Sequence, residues 1–338
     1  MKKKILLILK FAFFLGLGFF FIWWFQRKLT ISEKLEISNS FQSANYLWVF
    51  IAFIPGILSH LSRAVRWRML LKPMGYHPQL KTTFAAVMIG YFANLAFPRL
   101  GEVMRCGILN KYEKIPVSKS FGTVITERTI DMIIFFLLFV FAFIIEFHNL
   151  KDYIYDNVMI KFADKFTNIN ITGFLFLAFV AFFVVLIVLF FVFKKKIVKS
   201  NIYTKILVFL MGFVEGIKSL SKIEKPYWFV FHSLFIWLNY FLMTWLVFFC
   251  FDQTATLSLS VALSALVLGS FAMMLVPGGI GIYPVIISQT LMIFSIVKTT
   301  GYALGWIAWS SQTFLIILFG IISLAILPLI KKKHNAKI

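Results

Sequence analysis

Long apolar runs recur along the chain, separated by shorter polar stretches. Six of these runs approach or exceed the length of about 20 residues that an α-helix needs to cross the hydrocarbon core of a bilayer. The pattern predicts six membrane-spanning helices at residues 5–25, 46–61, 123–147, 171–193, 227–251 and 302–330.

Two further apolar stretches are interrupted by proline and glycine. Residues 84–98 are short for a span, and residues 257–276 run into a Pro-Gly-Gly sequence before a second short apolar run. Such segments, one in each half of a chain, are typical of inverted repeats around a site at the bilayer midplane. We therefore predict two broken re-entrant hairpins, 84–110 and 257–297, which enter from opposite faces. The alternative is eight plain spans.

The composition excludes a soluble protein. Of the 338 residues, 61% are hydrophobic and 14% are charged, with a mean hydropathy of +0.90, whereas soluble domains are about half apolar and about a quarter charged. Two cysteines are too few for a secreted disulfide scaffold. No small-residue cleavage site follows the first apolar run, so we expect it to remain as a span. We predict an all-α polytopic membrane protein with a single integral membrane domain, 1–338, ending in a basic tail.

The net charge of +21 indicates a membrane partner, because the basic residues flank the apolar runs. Nucleic acid is not expected to bind. Ten Lys and Arg residues lie in 63–122 and eight lie in 194–226, whereas acidic residues balance the basic ones in 26–45 and 148–170. By the positive-inside rule we expect both termini in the cytoplasm, and we expect the protein in the cytoplasmic (inner) membrane of a bacterium.

Arginine is concentrated in one region of the chain. Six of the 7 Arg residues lie between 63 and 128, whereas 27 Lys residues provide most of the positive charge. The planar guanidinium group suits bidentate contacts with phosphate, which Lys cannot reproduce. This bias favours an anion site that includes Arg66. The alternative for 63–68 is an aromatic and basic belt at the cytoplasmic interface.

Charged and amide side chains accompany the first break and the start of the third predicted span. A charge at the centre of a membrane helix costs about 2.5–3.5 kcal/mol on insertion scales, so such residues usually face a cavity or a partner. Glu127 and Asp131 share one helical face, and Arg128 is close enough to pair with Asp131. The alternative is that 127–131 lie at head-group depth, where charges cost little. The candidate site residues are Asn94, Arg99, Glu102, Arg105, Glu127, Arg128 and Asp131.

A Pro-Gly-Gly-Ile-Gly sequence at 277–281 lacks the spacing of a nucleotide-binding loop. Its glycines predict an unwound turn with exposed amides, followed by a helix near Val285 whose N-terminus points into the site. The alternative is a tight turn between two spans. Gly278, Gly279 and Gly281 join the candidate site residues. Five scattered His residues without metal-ligand spacing, and no nucleophile motif, predict neither metal nor cofactor and no enzymatic activity.

Four short motifs follow one another along the chain: RAVRWR at 63–68, PRLGEVMR at 98–105 after Asn94, ERTID at 127–131 and PGGIG at 277–281. Their order and spacing over roughly 5–330 resemble the lysylphosphatidylglycerol synthase transmembrane-region family, the flippase-like half of the multiple-peptide-resistance factors. The resemblance implies an integral cytoplasmic-membrane protein that handles phospholipids or lipid-linked envelope precursors. The best-understood members move an aminoacylated phosphatidylglycerol between leaflets.

The chain departs from the family pattern in two respects. We expect no lipid aminoacylation, because no soluble aminoacyl-transferase half follows the membrane region. Pro284 stands where members often carry an acidic residue, which weakens the case for a carboxylate from the second hairpin.

The first hypothesis is a flippase for an anionic or aminoacylated phospholipid or a lipid-linked envelope precursor. In this hypothesis Arg105 and Arg128 hold the lipid phosphate, and Arg66 receives it on the cytoplasmic side. The three acidic residues orient the arginines or meet a cationic head group; they are Glu102, Glu127 and Asp131.

Two other functions stay open. One is a membrane enzyme that acts on a polyprenyl-phosphate or glycolipid, with Glu102 or Asp131 as the base. The other is an accessory subunit that docks a separate synthase on the cytoplasmic loops. A carrier keeps partial transport without a base, whereas an enzyme does not, and co-purification of a partner would favour the accessory subunit.

Overall fold

The computed structural model describes residues 16–97, 100–147 and 223–335, and all regular secondary structure in these ranges is helical. The prediction of an all-α polytopic membrane protein is confirmed. Two short 3-10 helices are Lys72–Met74 and Pro277–Gly279. The α-helices are α1 (16–27), α2 (Ile31–Ser43), α3 (Leu47–Leu71), α4 (Leu80–Ala96), α5 (Leu100–Glu113), α6 (Val117–Ile145), α7 (Pro226–Phe248), α8 (Asp252–Ala255), α9 (Leu259–Leu275), α10 (Ile282–Met292) and α11 (Lys298–Asn335).

Four helical segments are long and apolar enough to cross a membrane, and they correspond to four of the six predicted spans. Of the other two, the span at 5–25 is described only from residue 16, and the span at 171–193 lies outside the described residues. The four segments are Leu47–Met74, Val117–Ile145, Pro226–Phe248 and Lys298–Leu329.

Helix α3 is longer than the apolar pattern indicated. The predicted span ended at residue 61, whereas the helix continues to Leu71 and contains the whole arginine-rich motif. Arg63 and Arg66 are buried in the bundle and bonded to carboxylates of α6. Because their charges are compensated inside the protein, they do not end the helix.

The antiparallel pair of α3 and α7 defines the two ends of the helix bundle. At one end the amide of Asn45 donates to the carbonyl of Cys250 at 2.9 Å. At the other end Lys72 pairs with Glu224. We call these end A (30–46, 250–258 and 293–300) and end B (72–79, 113–117 and 223–225).

Two helix hairpins enter the bundle from opposite ends. Helices α4 and α5 have their outer ends at end B, where the amide of Gln79 donates to Glu113 at 3.2 Å. Helices α9 and α10 have their outer ends at end A, where Thr300, at the start of α11, donates to Gln253 at 2.9 Å.

The inner tips of the two hairpins meet inside the bundle. A Cβ atom placed on Gly278 would lie 3.3 Å from the side chain of Leu95. Helices α4 and α9 have 17 residues each, which is about 25 Å of helix and less than the hydrocarbon core of about 30 Å. Short helices whose tips meet favour broken hairpins over eight plain spans.

The chain reverses direction in a different way at the tip of each hairpin. In the first, the backbone of Gly101 packs so closely that an added Cβ would lie 2.1 Å from the carbonyl oxygen of Gly90. Asn94 closes this turn by accepting a hydrogen bond from the amide of Gly101 at 2.7 Å. In the second, three glycines have φ between +67° and +74°, a region that favours glycine; they are Gly278, Gly279 and Gly281.

Candidate functional site

Five charged side chains from three helices form a buried ion cluster. Helix α3 contributes two arginines one turn apart, α5 contributes one, and α6 contributes two carboxylates one turn apart. All five side chains are buried, and Arg66 and Glu127 have no exposed surface. The members of this cluster are Arg63, Arg66, Arg105, Glu127 and Asp131.

The two carboxylates of the cluster are saturated by guanidinium groups. Glu127 lies 2.7 Å from Arg63, 3.4 Å from Arg66 and 2.9 Å from Arg105. Asp131 accepts from Arg63 on one oxygen, at 2.6 Å, and from Arg66 on the other, at 2.7 Å. Charges taken out of water are tolerated only when they are paired in this way.

The side chain of Arg105 is fixed by contacts with Trp67 and Glu127. Its guanidinium lies 4.2 Å from the ring centroid of Trp67, and the indole N–H of Trp67 donates to Thr123 at 2.9 Å. Its Nη2 donates to Glu127, whereas its Nε and Nη1 are buried without a partner among the described residues. The stack and the ion pair fix the orientation of Arg105.

A second ion pair joins hairpin α4–α5 to α6. Arg128 donates to Glu102 at 3.0 Å, and their side chains are 39% and 21% exposed. The Nε of Arg128 and one oxygen of Glu102 are buried and have no partner in the described part of the chain. Together with the ion cluster, four guanidinium groups face three carboxylates, so one positive charge is in excess.

A cavity of about 340 Å³ lies between the two hairpins. Arg63, Arg128 and Asp131 form its charged wall, and Gly278 contributes the tip of the second hairpin. Apolar side chains such as Leu266, Met273 and Ile316 line much of the remainder. This size and mixture of charged and apolar walls are those of a small-molecule or head-group site.

The structure divides the candidate residues into three groups. Asn94, Arg128, Asp131 and Gly278 line the cavity. Behind its charged wall lie the buried members of the ion cluster, Arg66, Arg105 and Glu127. Of the remaining residues, Glu102 binds Arg128, Gly279 and Gly281 form the second turn, and Arg99 lies outside the described residues.

Arg63 is the charged residue of the cavity wall that the candidate set omitted. It lies one turn before Arg66 on α3, contacts both cluster carboxylates, and donates to the hydroxyl of Tyr240 at 3.3 Å. The spacing of three residues between Arg63 and Arg66 was the signal that could have identified it, since it puts both on one helical face.

Within residues 16–97, 100–147 and 223–335, no group of three His, Cys, Asp or Glu side chains is arranged to hold a metal ion. Each cluster carboxylate is bonded to guanidinium groups instead. Guanidinium N–H groups in the cavity wall are donors of the kind that can bind an anion.

Comparison with known families matches residues 7–322 to the model of the lysylphosphatidylglycerol synthase TM region. The chain belongs to this family. The match covers every residue that lines the cavity and all the motifs at which the candidate residues occur. The family assignment thus agrees with a multi-pass membrane protein that has several apolar helices.

Two curated relatives share parts of the chain. The UPF0104 membrane protein MJ1595 of Methanocaldococcus jannaschii is 32% identical over 149 residues, which is 43% of this chain and 41% of the relative. The glycosyltransferase AglD of Haloferax volcanii is 26% identical over 102 residues, 30% of this chain and 16% of the relative. The similarity thus spans less than half of either relative. No solved structure matches.

Proposed function

We propose that this chain is a flippase-like protein that moves a lipid across the membrane. The lipid is an anionic or aminoacylated phospholipid or a lipid-linked envelope precursor, and the protein binds it by its phosphate. The observation that carries the proposal is the cavity between the two hairpin tips, with Arg63 and Arg128 in its wall. The excess positive charge beside it attracts an anion, and the meeting of the tips puts the cavity between the two ends of the bundle.

Arg128 is the main phosphate ligand in this proposal. Its side chain is partly exposed and lines the cavity, and it has a buried N–H donor without a partner in the described residues. Arg63 is buried and already donates to Glu127, Asp131 and Tyr240, with only its Nε unpartnered in the described residues, so it contributes charge more than free donors. A guanidinium N–H group and a phosphate oxygen form a strong, charge-assisted hydrogen bond.

Transport without covalent chemistry fits the state of the carboxylates. Both oxygens of Asp131 and both oxygens of Glu127 accept from guanidinium groups. With both of its oxygens bonded to guanidinium groups, Asp131 has no free oxygen that could take a proton from a substrate, which argues against an enzyme that uses Asp131 as its base. We propose the cytoplasmic membrane of a bacterium as the location, with both termini inside, and a separate synthase as the source of the lipid.

Mass spectrometry of the lipids that stay with the detergent-purified protein tests the proposal. The wild type should carry one anionic or aminoacylated lipid above its share of the membrane. Arg128→Gln should reduce that enrichment about tenfold, because a charge-assisted hydrogen bond contributes about 1.5–3 kcal/mol. Lys119→Gln removes a positive charge from the exposed start of the same helix and should leave the enrichment intact.

A second variant separates lipid binding from loss of the ion pair. Glu102→Gln removes the same ion pair as Arg128→Gln but leaves the guanidinium free for phosphate. It should enrich the lipid at least as strongly as the wild type. If all four proteins carry only bulk membrane lipid, the cavity is not a phosphate site and the proposed function is wrong.

A further inference from the structure

Polar side chains without charge also line the cavity. They come from α3, α4, α7, α9 and α11, so they surround the space on several sides. They carry hydroxyl, amide and imidazole groups, and they are His60, Tyr91, Tyr240, Thr244, Ser270, Ser311 and Gln312.

Many of these groups have hydrogen-bonding capacity to spare. Thr244 and Ser311 donate their hydroxyl protons to backbone carbonyls, at 3.0 Å and 2.8 Å, which leaves their oxygens free to accept. The Nδ1 of buried His60 has no partner in the described residues. The amide of Gln312 makes no hydrogen bond among the described residues, so it offers both a donor and an acceptor to the cavity.

Among the described residues, the cavity offers no free carboxylate to a cation. Asp131 is the one acidic residue of the described chain in its wall. Its two oxygens accept from Arg66 and Arg63 at 2.7 Å and 2.6 Å. An ammonium group brought into the cavity would meet the guanidinium groups of Arg63 and Arg128, and the described residues offer it no free carboxylate as a partner, which is unfavourable.

We infer that the lipid of this cavity carries an uncharged polyol or sugar beyond its phosphate, and that the cavity discriminates against head groups with an ammonium group. This inference rests on the proposed function and narrows its substrate class. Polyol hydroxyl groups both donate and accept hydrogen bonds. They can donate to the hydroxyl oxygens of Thr244 and Ser311, and they can bond either the donor or the acceptor of the Gln312 amide. The positive charges of Arg63 and Arg128 in the cavity wall repel a cationic head group and so select against it.

The test is an affinity measurement on the full-length protein in detergent with three short-chain lipids. Phosphatidylglycerol has a phosphodiester and a polyol, phosphatidylmethanol has the same phosphodiester without the polyol, and lysylphosphatidylglycerol adds ammonium groups. Phosphatidylglycerol should bind about tenfold more tightly than phosphatidylmethanol, as expected for one or two additional hydrogen bonds. It should also bind about tenfold more tightly than the lysyl lipid, because of like-charge repulsion.

Two substitutions of Gln312 make the test specific. Gln312→Leu should lower the ratio of phosphatidylglycerol affinity to phosphatidylmethanol affinity towards one. Gln312→Glu adds a free carboxylate to the cavity and should shift preference towards the lysyl lipid, which a misfolded variant would not do. Gln42→Leu, on the exposed face of α2, is the matched control and should keep the wild-type ratios.

The outcomes separate this inference from the proposed function. If anionic lipids bind and Arg128→Gln weakens them, but lysylphosphatidylglycerol binds as tightly as phosphatidylglycerol, the inference is overturned and the proposed function stands. Equal affinity for phosphatidylmethanol and phosphatidylglycerol would also overturn it. If no lipid binds in an Arg128-dependent way, the proposed function itself fails.

Discussion

Glu127 is the residue on which three guanidinium groups converge at the centre of the bundle. It has no exposed surface, and it is the single carboxylate partner of Arg105 in the described residues. A buried ion pair contributes little net stability when complete, but removal of one partner leaves the others uncompensated in a medium of low dielectric constant. The cluster is therefore far more sensitive to loss of a carboxylate than a surface ion pair is.

Glu127→Gln should destabilise the protein by about 3–5 kcal/mol, because it leaves Arg105 without a carboxylate partner and leaves Arg63 and Arg66 to share Asp131. The measurement is the midpoint of thermal unfolding in detergent. Glu224→Gln is the matched control, since Glu224 pairs with Lys72 at the exposed end B of the bundle, and its midpoint should stay near that of the wild type. Equal shifts in the two variants would contradict the ion cluster.

The arginine bias of the sequence predicted a polar site, and the structure explains what the bias could not resolve. Arg66, Arg105 and Arg128 were all candidate ligands, because a sequence does not tell which guanidinium is already bonded. Arg66 and Arg105 are buried in ion pairs, whereas Arg128 is partly exposed to the cavity. That difference depends on the packing of α3, α5 and α6 against each other.

At the scale of the element, hairpin α4–α5 depends on close contact between its two helices. The carbonyl oxygen of Gly90 and the side chain of Asn94 occupy the space into which a Cβ on Gly101 would point. The contact brings Glu102 and Arg105, on the same short helix, to α6. The hairpin thus positions two of the charged residues that surround the site.

Gly101→Ala should separate the two helices of this hairpin and destabilise the protein by about 1–3 kcal/mol, the usual cost of overpacking. The obstacle is a backbone oxygen at 2.1 Å, which cannot rotate away as a side chain can. Gly107→Ala is the control, because a Cβ there meets nothing within 4 Å on the same helix. Thermal unfolding and lipid retention should change in the first variant and remain close to wild type in the second.

The two hairpins were predictable as elements because proline and glycine interrupt short apolar runs. The length of α3 was not, since the sequence contains three arginines where the helix continues. Hydropathy treats each charge as a cost, whereas the carboxylates of α6 compensate Arg63 and Arg66 from a different helix. A helix such as α3 can therefore continue beyond its apolar run when the charges that follow are paired with another helix.

For the whole molecule, the orientation in the membrane is a prediction from the distribution of Lys and Arg. Ser118 lies at the exposed start of α6, at end B, and Ser258 lies exposed before α9, at end A. Ser118→Cys should react with a membrane-impermeant maleimide only from the cytoplasmic side, and Ser258→Cys only from outside. The native cysteines are buried, so the wild type should remain unlabelled as the control. Labelling of both from one side would contradict the topology.

The architecture was largely predictable because, within the described residues, each long apolar run forms its own helix. The assembly was less so, because the contact between hairpin tips depends on neighbours far apart in sequence. Leu95 and Gly278 meet across more than half the chain. The cavity lies between these tips and is completed by residues of α7 and α11. Because it is formed by segments far apart in the sequence, no short stretch of sequence predicts it.

The single excess positive charge among the described residues of the site would also determine how membrane voltage acts on the lipid that we propose as its ligand. A phosphodiester carries one negative charge, so the loaded cavity would be electrically neutral, whereas the empty cavity would not. A potential of about 100 mV does about 2.3 kcal/mol of work on each elementary charge that crosses it. Voltage would therefore do little work on a step in which the lipid and these arginines move together, and it would act mainly on the steps in which the empty site moves.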